Sequence, residues 1–370
     1  MRTENLRAAV LTIDLDALAE NWRTLDRLTP GAETAAVVKA DAYGCGIARA
    51  VPALRAAGCR TFFTAHPHEG VAVRAAAPDA RVLVLNGLLP GLEGLFLDND
   101  LVPVLNSLDD IALRSRQARN AGRRLPAAIH LDTGMTRLGL VDADVDRLAA
   151  APDLLDGLDV VLWLTHPACA DTPEHPLNAA QLALFRDWLG RLPPAPASFC
   201  NSAAIHLGAA GHLDLIRAGV ALYGTNPSPA TTLRMREVVH LQARILQVHR
   251  VDTPRSVGYG ATHPVTGPRR IATVGVGYGD GYLRALGGKA WGVVGGHRVP
   301  LVGRVSMDLS TFDITDVPDR LAHPGALVSM IGGGVDIDAL ARAGDTIAYE
   351  LLTGLGSRYA RVHAGGAGVA

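Results

Sequence analysis

The chain has 370 residues, of which 48% are hydrophobic and 19% charged, with a formal net charge of −1. That is enough apolar material for two packed domains and argues against disorder. It leaves no basic surplus for nucleic acid or an anionic membrane, and no run approaches the roughly 20 apolar residues of a membrane-spanning helix.

Taken in chain order, residues 8–13 read as a strand. Asp14 or Asp16 then caps a helix with apolar positions at Leu18, Trp22, Leu25 and Leu28. The run Ala36-Val37-Val38-Lys39-Ala40 follows. Runs like it, apolar on both faces, mark parallel strands buried on both sides. Similar runs recur at residues 61–65, 82–86, 101–105, 128–132, 160–165, 197–202 and 215–219. Helical patterns lie between most of them: residues 47–57 closed by Gly58, 69–76, 107–121 closed by Gly122, 145–150 and 177–192, with shorter ones at 91–97 and 203–207. Eight such repeats predict an α/β fold, an N-terminal (β/α)8 TIM barrel. A doubly wound open sheet is the alternative, because periodicity cannot report closure.

Near residue 233 the pattern changes to strands separated by glycines, at 239–251, 270–276, 291–294, 299–302, 310–314 and 326–331. This predicts a C-terminal mostly β domain. The expected division is 14–232 for the barrel and 233–370 for the β domain, joined by strand 8–13. A short Gly/Ala tail spans 363–370. Residues 1–7 are charged and read as lacking a secretory signal. Cys45, Cys59, Cys169 and Cys200 are scattered without a CxxC pair. A reduced cytoplasmic protein is expected, with neither disulfides nor a metal.

In a barrel of this kind the active site lies at the C-terminal ends of the strands. Lys39 ends strand 1, followed by Asp41 and Tyr43. His130 and Asp132 end strand 5, with Arg137 after them. His166 follows strand 6, Asn201 and Ser202 end strand 7, and Arg217 and Gly219 lie on strand 8. An amine in apolar surroundings has a lowered pKa and can form a Schiff base or act as a base. Lys39 equally reads as a rim residue paired with Asp41. Ser202 alone reads as a helix cap; with Gly219 and Val220 on the next strand it reads as a phosphate site. Arg217 is a ligand contact or a structural ion pair with Asp214, and His166 is a site residue or a structural one.

Read together, these residues resemble the alanine racemase family, the fold-type III pyridoxal-phosphate enzymes. The resemblance is carried by Val37-Val38-Lys39-Ala40-Asp41-Ala42-Tyr43-Gly44-Cys45-Gly46, Asp132-Thr133-Gly134-Met135-Thr136-Arg137-Leu138-Gly139, Asn201-Ser202-Ala203-Ala204 and Arg217-Ala218-Gly219-Val220-Ala221-Leu222-Tyr223-Gly224. It continues through Val257-Gly258-Tyr259-Gly260, Val276-Gly277-Tyr278-Gly279-Asp280-Gly281-Tyr282 and Val302-Gly303-Arg304-Val305-Ser306-Met307-Asp308. The resemblance implies pyridoxal 5'-phosphate held on Lys39, with its phosphate met by Tyr43, Ser202, Gly219 and Val220. Arg217 would face the pyridine nitrogen and Arg137 the phenolic oxygen. It also implies a head-to-tail homodimer, in which Tyr259, Tyr278 and Met307 reach the other subunit's site and Met307 N–H meets the substrate carboxylate. Lys39 and Tyr259 would be the two bases, with His166 and Arg217 as a polar chain to Tyr259, whose free pKa is about 10. The activity implied is interconversion of L- and D-alanine, supplying D-alanine for peptidoglycan. Asp132, Tyr278, Asp308 and His130 are read as supporting residues.

Three positions depart from the family pattern. Many members carry a lysine, often carbamylated, where this chain has His130; Asp132 or a bound anion would then compensate, or Arg137 is held differently. Ser357 stands near where some members place a tyrosine at the substrate entrance, which suggests a wider pocket. His166-Pro167 replaces the commoner His-Phe. A serine or broad-specificity racemase is therefore the nearest rival. A non-catalytic pyridoxal-phosphate carrier and a pyridoxal-phosphate decarboxylase are the others. The carrier is opposed by the second domain, and the decarboxylase by the Asp-Thr-Gly-Met and Gly-Tyr-Gly-Asp blocks.

Overall fold

The computed structural model describes residues 7–228 and 231–366. The reading of residues 1–6 as free of a signal, and that of the tail from residue 367, lie outside the described residues.

Strand β1 (Ala9–Asp14) runs directly into the helix Leu15–Leu28. Asp14 Oδ1 accepts the N–H of Ala17 at 2.8 Å, so Asp14 is the cap and Asp16 sits in the first turn. Leu18, Trp22 and Leu25 are buried, whereas Leu28 is exposed.

Eight parallel strands follow: β2 (Glu33–Val37), β3 (Thr61–Thr64), β4 (Arg81–Val84), β5 (Leu101–Leu105), β6 (Leu125–His130), β7 (Leu158–Leu164), β8 (Ala197–Ser198) and β9 (Leu215–Ala218). Neighbours pair in sequence order from β2 to β8, and β9 returns to pair with β2. The remaining seam, β8 to β9, is joined by a bridge between Asn201 and Arg217, with Arg217 N–H donating to Cys200 O at 2.9 Å. The sheet is therefore a barrel and not an open doubly wound sheet. Phe62, Phe63, Val82, Leu83 and Val84 are all buried, as expected of strands covered on both faces.

The first barrel strand differs from its expectation. It ends at Val37, short of Lys39, because residues 40–43 all adopt left-handed backbone. Several helices also differ in extent: they cover Pro67–Ala76, Glu93–Asp98 and Asp142–Ala150, one stops at Leu189, and the stretch near residue 205 is a 3-10 turn, Ala204–Leu207.

The second domain is a sheet built on the long strand β10 (Val239–Val251). The hairpin β11 (Arg255–Val257) and β12 (His263–Val265) follows, then β13 (Arg269–Val274), β14 (Trp291–Val294), β15 (His297–Pro300), β16 (Ser310–Asp313) and β17 (Leu327–Ile331). Strand β1 is inserted between β10, antiparallel to it, and β18 (Ala360–Ala364), parallel to it. The chain's start thus belongs to the second sheet. Two helices, Ile337–Ala343 and Ala348–Gly354, and strand β18 were not apparent from strand-like runs. Strand β18 forms an edge of the sheet beside β1. Among the described residues, no helix is long and apolar enough to cross a membrane.

Candidate active site

The C-terminal ends of the barrel strands open on a cavity of about 460 Å³. Lys39, Tyr43, His130, Arg137, His166, Ser202, Arg217, Gly219 and Val220 line it together. Asp132, Tyr259, Tyr278, Met307 and Asp308 do not.

Lys39 owes its position to an unusual turn. Ala40, Asp41, Ala42 and Tyr43 have φ between +52° and +54°. Left-handed backbone costs a non-glycine residue ~1–2 kcal/mol, so this segment must be held. Inside the turn, Ala42 N–H donates to Val38 O (2.9 Å), Gly44 N–H to Ala40 O (2.8 Å) and Gly46 N–H to Asp41 O (2.8 Å). Asp41 Oδ1 accepts the N–H of Ile47 at 2.8 Å. Asp41 is thus a cap, and the rim ion pair with Lys39 does not form. From outside, Arg361 donates to Gly44 O, and the His363 ring lies 2.9 Å from Cys45 O. Both belong to β18, so the second domain pins the lysine turn. Burial, with Arg137 adding to it, lowers the pKa of Lys39, while Glu69 opposes the shift. More free amine is available for bonding to a carbonyl or taking a proton.

Arg217 is buried on β9, and its guanidinium donates to carbonyl and hydroxyl oxygens. Nη1 reaches Ser198 O (3.1 Å) and Ser198 Oγ (2.5 Å); Nη2 reaches Thr165 O (2.5 Å) and Phe199 O (3.3 Å). Asp214 caps the N–H of Ala197 instead (2.8 Å), so the anticipated Arg217–Asp214 ion pair is absent. Burial pushes Arg217 down to about 10, and it remains a cation at neutral pH. His166 is held well below its usual range by burial, then by Arg217, Arg137, His130 and Lys39, and is neutral.

The hydroxyl of Ser202 accepts the N–H of Gly219 at 2.8 Å and of Ala221 at 3.4 Å. A Cβ built on Gly219 would fall 2.9 Å from the Tyr43 hydroxyl and 3.8 Å from Ser202 Oγ. The missing side chain leaves a small space framed by two hydroxyls and successive backbone amides, which suits phosphate oxygens. Tyr43 is stacked on Tyr223 with centroids 4.5 Å apart, and Tyr223 donates to Val37 O at 3.0 Å. These donors, with the amine of Lys39 and the fixed cation of Arg217, fit pyridoxal phosphate. Lys39 could hold its aldehyde, Tyr43, Ser202, Gly219 and Val220 its phosphate, and Arg217 its ring.

The support around Arg137 has an unexpected form. Asp132 Oδ1 accepts the N–H groups of Gly134 (3.0 Å), Met135 (2.8 Å) and Thr136 (3.1 Å). It shapes the loop leading to Arg137 and does not act as that residue's counter-ion. His130 Nδ1 lies 3.0 Å from Asn106 Oδ1. The Asn106 amide nitrogen donates to Leu85 O (3.1 Å) and Val104 O (2.9 Å), so its oxygen must accept and His130 Nδ1 must carry the proton. Burial, with Arg217 next in effect, pushes His130 down to about 4. A neutral ring with an unprotonated Nε2 thus stands at the end of β6.

Tyr259 is 70% exposed and Met307 55%. The loops carrying Tyr278 and Met307 interlock, and Gly258 and Gly260, beside Tyr259, pack against Arg304. Tyr278 N–H donates to Ser306 O (3.0 Å), and Gly279 N–H to Met307 O (2.8 Å). Arg358 bridges Asp280 (3.2 Å) and Asp308 (2.9 Å).

Ser357 does not line the cavity. Its carbonyl accepts from Arg7 at 2.6 Å, and it faces a separate surface pocket with Arg358 and Tyr359. The side chain over the mouth is Tyr349, on the helix Ala348–Gly354, with its ring 6.1 Å from that of Tyr43. Sequence reasoning missed Tyr349, Asn106 and Glu69, since none belongs to a strand end that carries a motif.

Fold and site together define a class: barrel enzymes that hold a carbonyl cofactor on a lysine at the strand ends. Comparison with known proteins narrows it. A family model described as "Alanine racemase, N-terminal domain" matches residues 13–227, and one described as "Alanine racemase, C-terminal domain" matches residues 238–363. The chain is 52% identical to the alanine racemase of Rhodospirillum rubrum, over 99% of this chain and 98% of that protein. It is 45% identical to that of Rhizobium meliloti, over 96% and 97%. The structure of the alanine racemase from Bartonella henselae, with covalently bound pyridoxal phosphate, matches with a TM-score of 0.92 at 36% identity, covering 96% of this chain and 99% of that one. The chain belongs to the alanine racemase family.

Proposed function

We propose that this protein interconverts L-alanine and D-alanine with pyridoxal 5'-phosphate, supplying D-alanine for peptidoglycan in the cytoplasm. The carrying observation is that Lys39, with its lowered pKa, shares one cavity with the Ser202–Gly219–Tyr43 cradle. When bound, pyridoxal phosphate supplies the electron sink that makes the substrate's Cα proton acidic.

Lys39 takes and returns that proton on one face, the face of D-alanine. Tyr259 of the partner subunit does so on the other, the face of L-alanine. Two bases on opposite faces are what inversion at carbon requires. His166, uncharged, and Arg217 form the polar chain that serves Tyr259. Arg217 stays charged and donates only, so facing the cofactor's ring it would disfavour protonation of the ring nitrogen. Arg137 orients the substrate side of the site, and the N–H of Met307 from the partner meets the substrate carboxylate. The protein works as a homodimer with shared sites. The barrel unit is taken as residues 14–232 and the second domain as 233–370 with strand 8–13.

A serine or broad-specificity reading rests on Ser357, and that side chain lies outside the cavity while Tyr349 covers its mouth. Alanine is therefore the preferred substrate. Incubation with single L-amino acids in heavy water, followed by Cα deuteration and chirality, tests this. Deuteration and inversion of alanine are expected. Silence on alanine with exchange on another amino acid would overturn the substrate, and deuteration without inversion would overturn the reaction.

A further inference from the structure

Glu69 sits on the helix Pro67–Ala76 and is 7% exposed. Its Oε1 accepts the N–H of Ala40 at 2.6 Å. Its Oε2 accepts the N–H of Ala65 at 2.9 Å and of His66 at 3.0 Å. Among the described residues it forms no ion pair. A carboxylate buried without a cation is stabilised here by backbone donors alone. Two of those donors come from the end of β3. The third is the amide that joins Lys39 to Ala40, the first of the four left-handed residues.

We propose that Glu69 is a positioning residue for Lys39: it grips the Ala40 amide, holding the strained turn that aims the lysine into the mouth, and it faces that lysine with a negative charge against Arg137. This deepens the racemase reading and rests on it for the role of Lys39. The groups around the lysine amine support the charge argument. Arg137 arrives from the loop after β6 and disfavours the ammonium form, Glu69 favours it, and His166 after β7 is neutral. Tyr43 and Tyr349 line the same cavity with their hydroxyls protonated. The bond to Ala40 also has a structural consequence. Without it, the left-handed residues lose the one side-chain acceptor that holds their first amide, and the turn can relax toward ordinary backbone.

The chain contains two lysines, Lys39 and Lys289, and Lys289 is paired with Asp345 on the surface. Reductive methylation of the full chain, freed of cofactor, with carbon-13 formaldehyde therefore gives two lysine resonances beside that of the α-amine. Their pH titration reads each amine separately. In Glu69→Gln, the Lys39 resonance is expected to titrate at lower pH while that of Lys289 stays in place. In Glu69→Asp, which keeps the charge but shortens the reach, Lys39 should titrate near its original pH. The unmethylated Glu69→Asp holoenzyme should lose kcat several-fold with little change in KM. Adding Ala40→Gly to Glu69→Gln relieves the left-handed strain without restoring charge. It should recover part of kcat and leave the Lys39 titration low. A folded Glu69→Gln with an unmoved Lys39 titration overturns the proposal. If Glu69→Gln does not fold, Glu69→Asp with unchanged kcat overturns it. The titration stands apart from the racemase reading, whose failure would appear as an unmodified protein that does not exchange the α-proton of alanine.

Discussion

At His130 the protonation state is decided by neighbours and not by the residue type. The ring is buried, it donates to Asn106, and it is pushed down to about 4. An unfolded histidine titrates near about 6.5. Between those values the unfolded chain binds the extra proton and the folded one does not, so this contribution to stability is complete above about pH 6.5 and is lost as pH falls toward 4. Each pH unit in that window removes up to about 1.4 kcal/mol. Urea unfolding of His130→Gln should therefore depend on pH less steeply than that of the parent between 6.5 and 4.5. Parallel slopes would show that the ring is not held neutral. The position of His130 at a strand end was readable from sequence. Its tautomer was not, because the residue that fixes it stands 24 positions earlier, just past the end of another strand.

At the scale of elements, the turn after β2 is where expectation and structure part. The run around Lys39 is apolar enough to read as strand throughout, yet the chain leaves the sheet at Val37. Left-handed backbone over residues 40–43 is not a local preference of Ala-Asp-Ala-Tyr. It persists because contacts from the second domain and from Glu69 impose it. Gly44 is the tightest of these contacts, at φ +80°, with space for a Cβ only 2.5 Å from Leu352 O. Gly44→Ala should cost at least about 1 kcal/mol from backbone conformation alone. It should also push the helix Ala348–Gly354, and with it Tyr349, away from the mouth. The expected result is a lower denaturation midpoint and faster loss of pyridoxal phosphate on dialysis. A variant that matches the parent in both would mean that the helix does not bear on the turn.

For the whole molecule, the informative observation is the separation of the two groups assigned as bases. Lys39 lines the cavity, whereas Tyr259, Tyr278 and Met307 stand exposed on the second domain. Large apolar side chains left exposed on one domain fit an interface between copies. If each site takes its lysine from one subunit and its tyrosine from the other, two inactive variants can complement. Lys39→Ala and Tyr259→Phe homodimers should each be nearly inactive. After unfolding and refolding as an equal mixture, half of the dimers carry one intact site, and roughly a quarter of the parent activity should return. No recovery from a mixture that demonstrably forms heterodimers would place both bases in one chain.

The sequence by itself determined the eight buried strands, the change to a β-rich second half and the residues that follow the strand ends. A strand covered on both faces leaves an unbroken apolar run, and the barrel register then puts whatever follows it on one mouth. Only the tertiary structure decided how those polar residues are used. Asp41, Asp132 and Asp214 turn out to cap backbone amides, although their charge alone suggested pairing with Lys39, Arg137 or Arg217. Tyr349 reaches the site from more than 300 residues beyond the lysine it overlooks. The lysine turn is held by β18 and by Glu69, which no local pattern links to it. Periodicity reports whether a residue faces the core. It carries no information about which distant amide or carbonyl will be there to meet it.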